Sequence, residues 1–157
     1  SGGIGTIAFQ ADLDGNWDIF LMDRNGSNIR QLTDDDHYHF DPDLSPDGKQ
    51  IAFTSDRDGD TEIFIMDVAG NNVRQFTVNE SDDHHAAWSP DGTMLAFTRE
   101  SIGDPSIAVV KVDGTGVNRL SNPLIRGSHP SWSPDGTKIV FSSPDDQGLR
   151  QMPQRAL

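Results

Sequence analysis

Apolar and polar positions alternate along the chain in short runs. Segments such as Ile51-Ala52-Phe53 and Ile63-Phe64-Ile65-Met66 are separated by clusters of Asp, Asn, Gly and Pro. The pattern then recurs. Ser-Pro-Asp-Gly ends at Gly48, Gly92 and Gly136, a constant step of 44 residues. The apolar triplets keep that register at Ile51–Phe53, Leu95–Phe97 and Ile139–Phe141, with Ile7–Phe9 one step earlier. Asp18–Asp23 matches Glu62–Asp67, and more loosely Ser106–Lys111. A period held without insertions predicts one supersecondary unit used repeatedly.

Each unit contains four apolar runs divided by turn residues. Ser-Pro-Asp-Gly suits a type I turn, with Ser first, Pro supplying its fixed φ, Asp third and Gly last. A second turn lies at Asp56–Asp60 and a third at Ala69–Asn71. This predicts a four-stranded antiparallel meander, with strands here lettered a to d in order. Strand c, Ile63–Met66, is apolar without alternation, so both of its faces are covered. No segment carries helical periodicity with caps, which leaves other sheets to do the covering. The expected fold is all-β, a β-propeller of four-stranded antiparallel blades packed face to face.

The pattern Trp-Ser-Pro-Asp-Gly-x-x-[Ile/Leu]-[Ala/Val]-Phe-[Thr/Ser], followed by Ser55-Asp-Arg-Asp-Gly-Asp-Thr-Glu-Ile-Phe-Ile-Met-Asp67, resembles the TolB-type (PD40) propeller repeat. It runs through nearly the whole chain, weakening after about residue 144. The repeat serves many proteins, so it speaks to fold more than to function. The TolB resemblance implies the cell envelope, a periplasmic or extracellular location, and a partner of the lipoprotein kind.

Residues 1–157 are expected to form one propeller domain, with blade parts at 4–33, 38–77, 84–121 and 129–152, the last including a weak strand c near Leu149–Met152. About three to three and a half blades fall short of a closed ring. Open blade faces and strand edges invite association. A head-to-tail homodimer closing the ring is therefore expected, with six blades, or eight if the fourth blade is fuller. The other reading is a piece of a longer propeller.

Composition narrows the partners. The 157 residues include 25 acidic and 12 basic side chains, a formal charge of -13. Nucleic acid and anionic membrane surfaces are disfavoured, because phosphate binding wants a basic patch. No apolar run is long enough to span a bilayer. Cysteine is absent, which removes disulfides, thiolate metal sites and cysteine nucleophiles.

Two groups of residues carry candidate chemistry. The b–c turns share Asp-x-Asp-Gly-x-x-[Asp/Glu], namely Asp12, Asp14 and Asp18, then Asp56, Asp58 and Glu62. Three carboxylates on a tight glycine turn suit Ca²⁺, although Asp and Gly also form hairpins for purely structural reasons. No other cofactor is expected. The five histidines, His37, His39, His84, His85 and His129, all lie in the segments leading into strand a. By register Asp41, His85 and His129 are equivalent, and such positions ring the mouth of a propeller's channel. That mouth is the expected docking site for a protein or peptide. Trp88 and Trp132, equivalent to Leu44, are expected in the blade-to-blade core.

No Gly-x-Ser-x-Gly, His-Glu-x-x-His or phosphate-loop motif is present. The expected function is thus a non-enzymatic scaffold for protein binding and self-assembly. The alternative is a propeller belonging to a larger peptidase-type or metal-dependent enzyme.

Overall fold

A computed structural model describes residues 5–13, 15–101, 104–116, 118–119 and 126–143. Every strand in it is antiparallel to its neighbour, and among these residues there is no helix. The first sheet holds β1 (Thr6–Asp12), β2 (Trp17–Asp23) and β3 (Arg30–Gln31). The second holds β4 (His39–Leu44), β5 (Gln50–Ser55), β6 (Glu62–Asp67) and β7 (Arg74–Gln75). The third holds β8 (Asp82–Trp88), β9 (Met94–Ser101), β10 (Asp104–Lys111) and β11 (Asn118–Arg119). The fourth holds β12 (Ser128–Trp132) and β13 (Ile139–Ser142). Strand order equals chain order throughout, as a meander requires. The expected strand near Leu149–Met152 lies outside the described residues.

The Ser-Pro-Asp-Gly turns form as their residue types dictate. Gly48, Gly92 and Gly136 donate to the carbonyls of Ser45, Ser89 and Ser133 at 2.8, 2.9 and 2.8 Å. Each glycine takes φ near +70°, the left-handed region where a Cβ would be strained. Each serine hydroxyl donates to the turn aspartate, at 2.7, 2.6 and 2.6 Å, and accepts the N–H that opens strand b. These bonds hold the carboxyls of Asp47, Asp91 and Asp135 below the ordinary range, Asp135 at about 2.

The sheets pack side by side. Ile19 and Leu21 of the first sheet meet Ile51, Phe53, Phe64 and Met66 of the second. The opposite face of the second sheet, with Ala52, Ile63 and Ile65, meets Ala86, Trp88, Leu95, Phe97, Ala108 and Val110 of the third. Strands b and c of the middle sheets thus bury side chains on both faces, which explains their continuous apolarity. Strand a of each sheet leans on the sheet before it: β4 meets β1 and β2, and β12 meets β8, β9 and β10. The indole of Trp88 donates to the Asp43 carbonyl at 3.2 Å, and Trp132 to that of Ala87 at 3.1 Å. Both tryptophans therefore tie blade to blade, as expected. Arg30 and Arg74 repeat the strategy at the rim, donating to the carbonyls of Val68 and Val112.

Two features depart from the expected strands. Among the described residues, outer strand d pairs over two residues in each of the first three sheets. In the first two blades Leu32 and Phe76 still donate to the Ile19 and Ile63 carbonyls, and the Thr33 and Thr77 hydroxyls accept the N–H groups of Ile19 and Ile63 at 2.9 and 2.8 Å. Inner strand a is bulged in every sheet that has one, between Phe40 and Asp43, His84 and Ala87, and Ser128 and Ser131. Each bulge holds a non-glycine residue in the left-handed region, Asp41 at φ 51°, His85 at 54° and His129 at 54°.

Candidate functional site

The bulges decide where the candidate side chains point. An extra residue in strand a re-aims its neighbours, and Asp and His tolerate positive φ better than most residues. The first and last bulges are strapped to the preceding sheet. The Asp41 N–H donates to Gln10 Oε1 at 2.6 Å, and the His129 N–H to Thr98 Oγ1 at 3.1 Å. Gln10 and Thr98 stand two repeat steps apart, so one device is used twice.

Asp41, His85 and His129 converge as expected. His85 Nε2 lies 3.3 Å from Asp41 Oδ2. The His85 and His129 rings lie face over face, centroids 3.7 Å apart and tilted 35°. His84 meets His85 edge-on at 4.7 Å, and its Nε2 is 4.0 Å from Glu100. Burial, with His129 and His84 beside it, pulls His85 down to about 4. It is therefore neutral at neutral pH, and its buried Nδ1 has no hydrogen-bond partner among the described residues. Burial pushes Asp41 up, partly offset by His84 and His129.

His37 and His39 do not join this group. His39 is fully buried at the start of β4. It donates from Nε2 to Asp35 Oδ1 at 2.9 Å and packs edge-on against Phe53. His37 is exposed, 3.6 Å from Asp56. The repeat register separates them: His39 is equivalent to the buried Asp83, not to the bulge residues.

The bulge residues line one wall of an open cleft of about 440 Å³ along the inner strands. Asp43, Trp88 and Trp132 complete the polar and aromatic lining, and Pro42, Pro90 and Pro130 stiffen it. Asp43 Oδ2 accepts the Trp88 N–H at 2.7 Å, and burial pushes this carboxyl up as well. The sequence reading missed Asp43 and the cleft-facing edges of the tryptophans. The legible signal was the Asp-Pro-Asp of Asp41–Asp43, since a residue before proline is barred from the helical region.

The turn carboxylates are occupied by the fold. Asp12 accepts the Gly15 N–H at 2.8 Å, and Asp18 accepts Thr33 Oγ1 at 2.7 Å and Gln31 Nε2 at 3.0 Å. Asp56 accepts the Tyr38 N–H at 2.9 Å, Asp58 accepts Gln75, and buried Glu62 accepts Asn79. Asp14 lies outside the described residues. Among the described residues no three His, Asp or Glu side chains are grouped to hold a metal.

With this geometry in view, comparison with known proteins is decisive for the family. The TolB β-propeller domain model (PD40) matches residues 2–154. The chain belongs to the TolB β-propeller family. A TolB match is also seen in the Tol-Pal system protein TolB of Geobacter sulfurreducens, 40% identical over 47 residues, 30% of this chain and 11% of that protein. A putative TolB from Agrobacterium tumefaciens superposes with a TM-score of 0.79 at 28% identity, covering 92% of this chain and 52% of that one. The chain thus spans about half the length of that TolB. A puromycin-hydrolyzing peptidase from Mycobacterium tuberculosis superposes with a TM-score of 0.72 at 18% identity, over 91% of this chain and 24% of that one. At that identity the likeness is one of fold. No helix among the described residues is long and apolar enough to cross a membrane.

Proposed function

We propose that this TolB-type chain is a non-catalytic scaffold of the cell envelope whose inner-strand cleft docks a protein or peptide partner. The observation that carries this reading is the cleft itself. Three repeat-equivalent residues, held in strained backbone, present Asp41, His85 and His129 to one concave, aromatic-walled surface. Strained residues gathered on a concave surface are a mark of function, and a half-buried aromatic residue such as Trp132 anchors protein partners. The test uses the periplasmic domain of the Pal lipoprotein of Geobacter sulfurreducens in calorimetric titration. Asn tolerates positive φ, so the paired change His85→Asn and His129→Asn removes the rings without straining the bulges. Binding is expected to weaken about tenfold with the melting temperature nearly unchanged. Absent binding, or binding indifferent to the double change, defeats the reading.

Self-association is the second part of the proposal. Val140 of β13 is 54% exposed and Ile7 of β1 is 38% exposed, apolar side chains of the kind that blade neighbours cover in the middle of the arc. Light scattering of the 157-residue chain should return twice the chain mass. A monomer at tens of micromolar ends the ring-closure idea while leaving the docking cleft standing. A propeller carried by a larger peptidase or lyase would rest on likeness of fold alone.

A further inference from the structure

We propose that the inner-strand cleft is a subsite for a cationic side chain, an arginine guanidinium, presented by the docked partner. This rests on the protein-docking reading and adds the chemistry of what is docked.

The first observation is a contrast among carboxylates. Where this chain buries an acid elsewhere, side chains of its own fold bond it: Thr33 and Gln31 meet Asp18, and Asn79 meets Glu62. Asp83 is fully buried and takes two bonds from Arg99, at 2.8 and 2.6 Å. Half-buried Asp41 and Asp43 face the cleft, and no lysine or arginine is among the described residues that line it. Asp41 has imidazoles beside it, with His85 Nε2 3.3 Å away, and Asp43 accepts a backbone N–H. Burial holds both carboxyls above their ordinary values, and for Asp41 the nearby His84 and His129 offset this only in part.

The second observation is the lining. Half-buried Trp132 and, one repeat step away, the small accessible part of Trp88 border the cleft, each indole fixed by its N–H bond to the preceding blade. Guanidinium stacks on such surfaces and its methylene stem covers apolar wall. The planar fork also matches a carboxylate with two parallel bonds.

The third observation is the state of His85. A protonated imidazole would repel an incoming cation. His85 Nδ1 is buried and has no acceptor for a second N–H among the described residues. At neutral pH His85 therefore adds no positive charge of its own beside Asp41.

The test is a nuclear magnetic resonance titration of the ¹⁵N-labelled chain with N-acetyl-arginine amide, N-acetyl-lysine amide and N-acetyl-glutamine amide. The indole signals of Trp88 and Trp132 should shift saturably with the arginine compound, in the millimolar range. Trp17, on the outer hairpin, is the internal reference and should stay still. The glutamine compound should bind at least tenfold more weakly. Asp41→Asn keeps the positive φ and the side-chain shape, and should weaken arginine binding at least fivefold with the remaining spectrum unchanged. Asp43→Asn is the second variant if Asp41→Asn disturbs the fold. Shifts that do not saturate, equal binding of glutamine, or indifference to both variants overturn the subsite. Lysine binding as well as arginine overturns the guanidinium assignment. The two proposals fail separately: Pal binding without an arginine response removes only the subsite, and an arginine response without Pal binding removes only that partner.

Discussion

Phe97→Ala is expected to lower the unfolding free energy by about 3–5 kcal/mol, a large fraction of the stability of a domain this size. Phe97 is fully buried between the second and third sheets, among Ile63, Ile65, Trp88 and Leu95. Truncation removes apolar area and leaves a cavity that two hydrogen-bonded sheets cannot collapse to fill. Its partner across the ladder, Ala108, is too small to move in. The repeat supplies an internal comparison. Phe141 occupies the same position in the fourth sheet but is only half-buried, so Phe141→Ala should cost less than half as much. Urea denaturation followed by tryptophan fluorescence measures both. A Phe97→Ala loss under about 1 kcal/mol would mean the sheets do not bury one another as described.

Glu62→Gln should stabilise the protein at pH 8 by up to about 3 kcal/mol and change little at pH 4.5. Glu62 is fully buried at the start of β6. Burial raises its carboxyl to about 7, with Asp83 and Asp60 adding repulsion against bonds from Thr77 and Asn79. The Asn79 amide bridges Glu62 and Asp83, at 3.1 and 2.9 Å. In the unfolded chain the group titrates near its ordinary 4.5. Between pH 4.5 and about 7 the folded state therefore holds the extra proton. Stability from this group is fully present below 4.5, falls as pH rises, and is gone above about 7. Glutamine keeps the shape and cannot ionise, so its advantage grows across the same window. Thermal melts of both proteins from pH 4.5 to 8 decide it. A difference that is constant with pH, or a variant weaker at pH 8, would show that Glu62 stays ionised in the fold.

The fold was legible because a β-meander writes itself in local chemistry. Ser45-Pro-Asp-Gly48 and its copies specify their turns through hydrogen bonds within six residues. The two-faced apolarity of Ile63–Met66 announced burial on both sides. Strand d is the least legible, because the Thr33 and Thr77 hydroxyls bond strand c as a ladder partner would. Of the candidate site, the register alone predicted that Asp41, His85 and His129 share a surface. His37 and His39 were grouped with them only by nearness in the chain.

The 44-residue step by itself determined strand order, turn type and which residues recur at equivalent places, since each is set by contacts between near neighbours in the sequence. Tertiary structure decided what those places do. The bulges place His85 over His129, residues 44 apart, and bring Asp41 to the same point. The cleft exists only between strands of different sheets, and so do the burial of Glu62 and the company kept by Asp43. Solvent exclusion and field depend on distances across the stack of sheets, which no local pattern along one chain can encode.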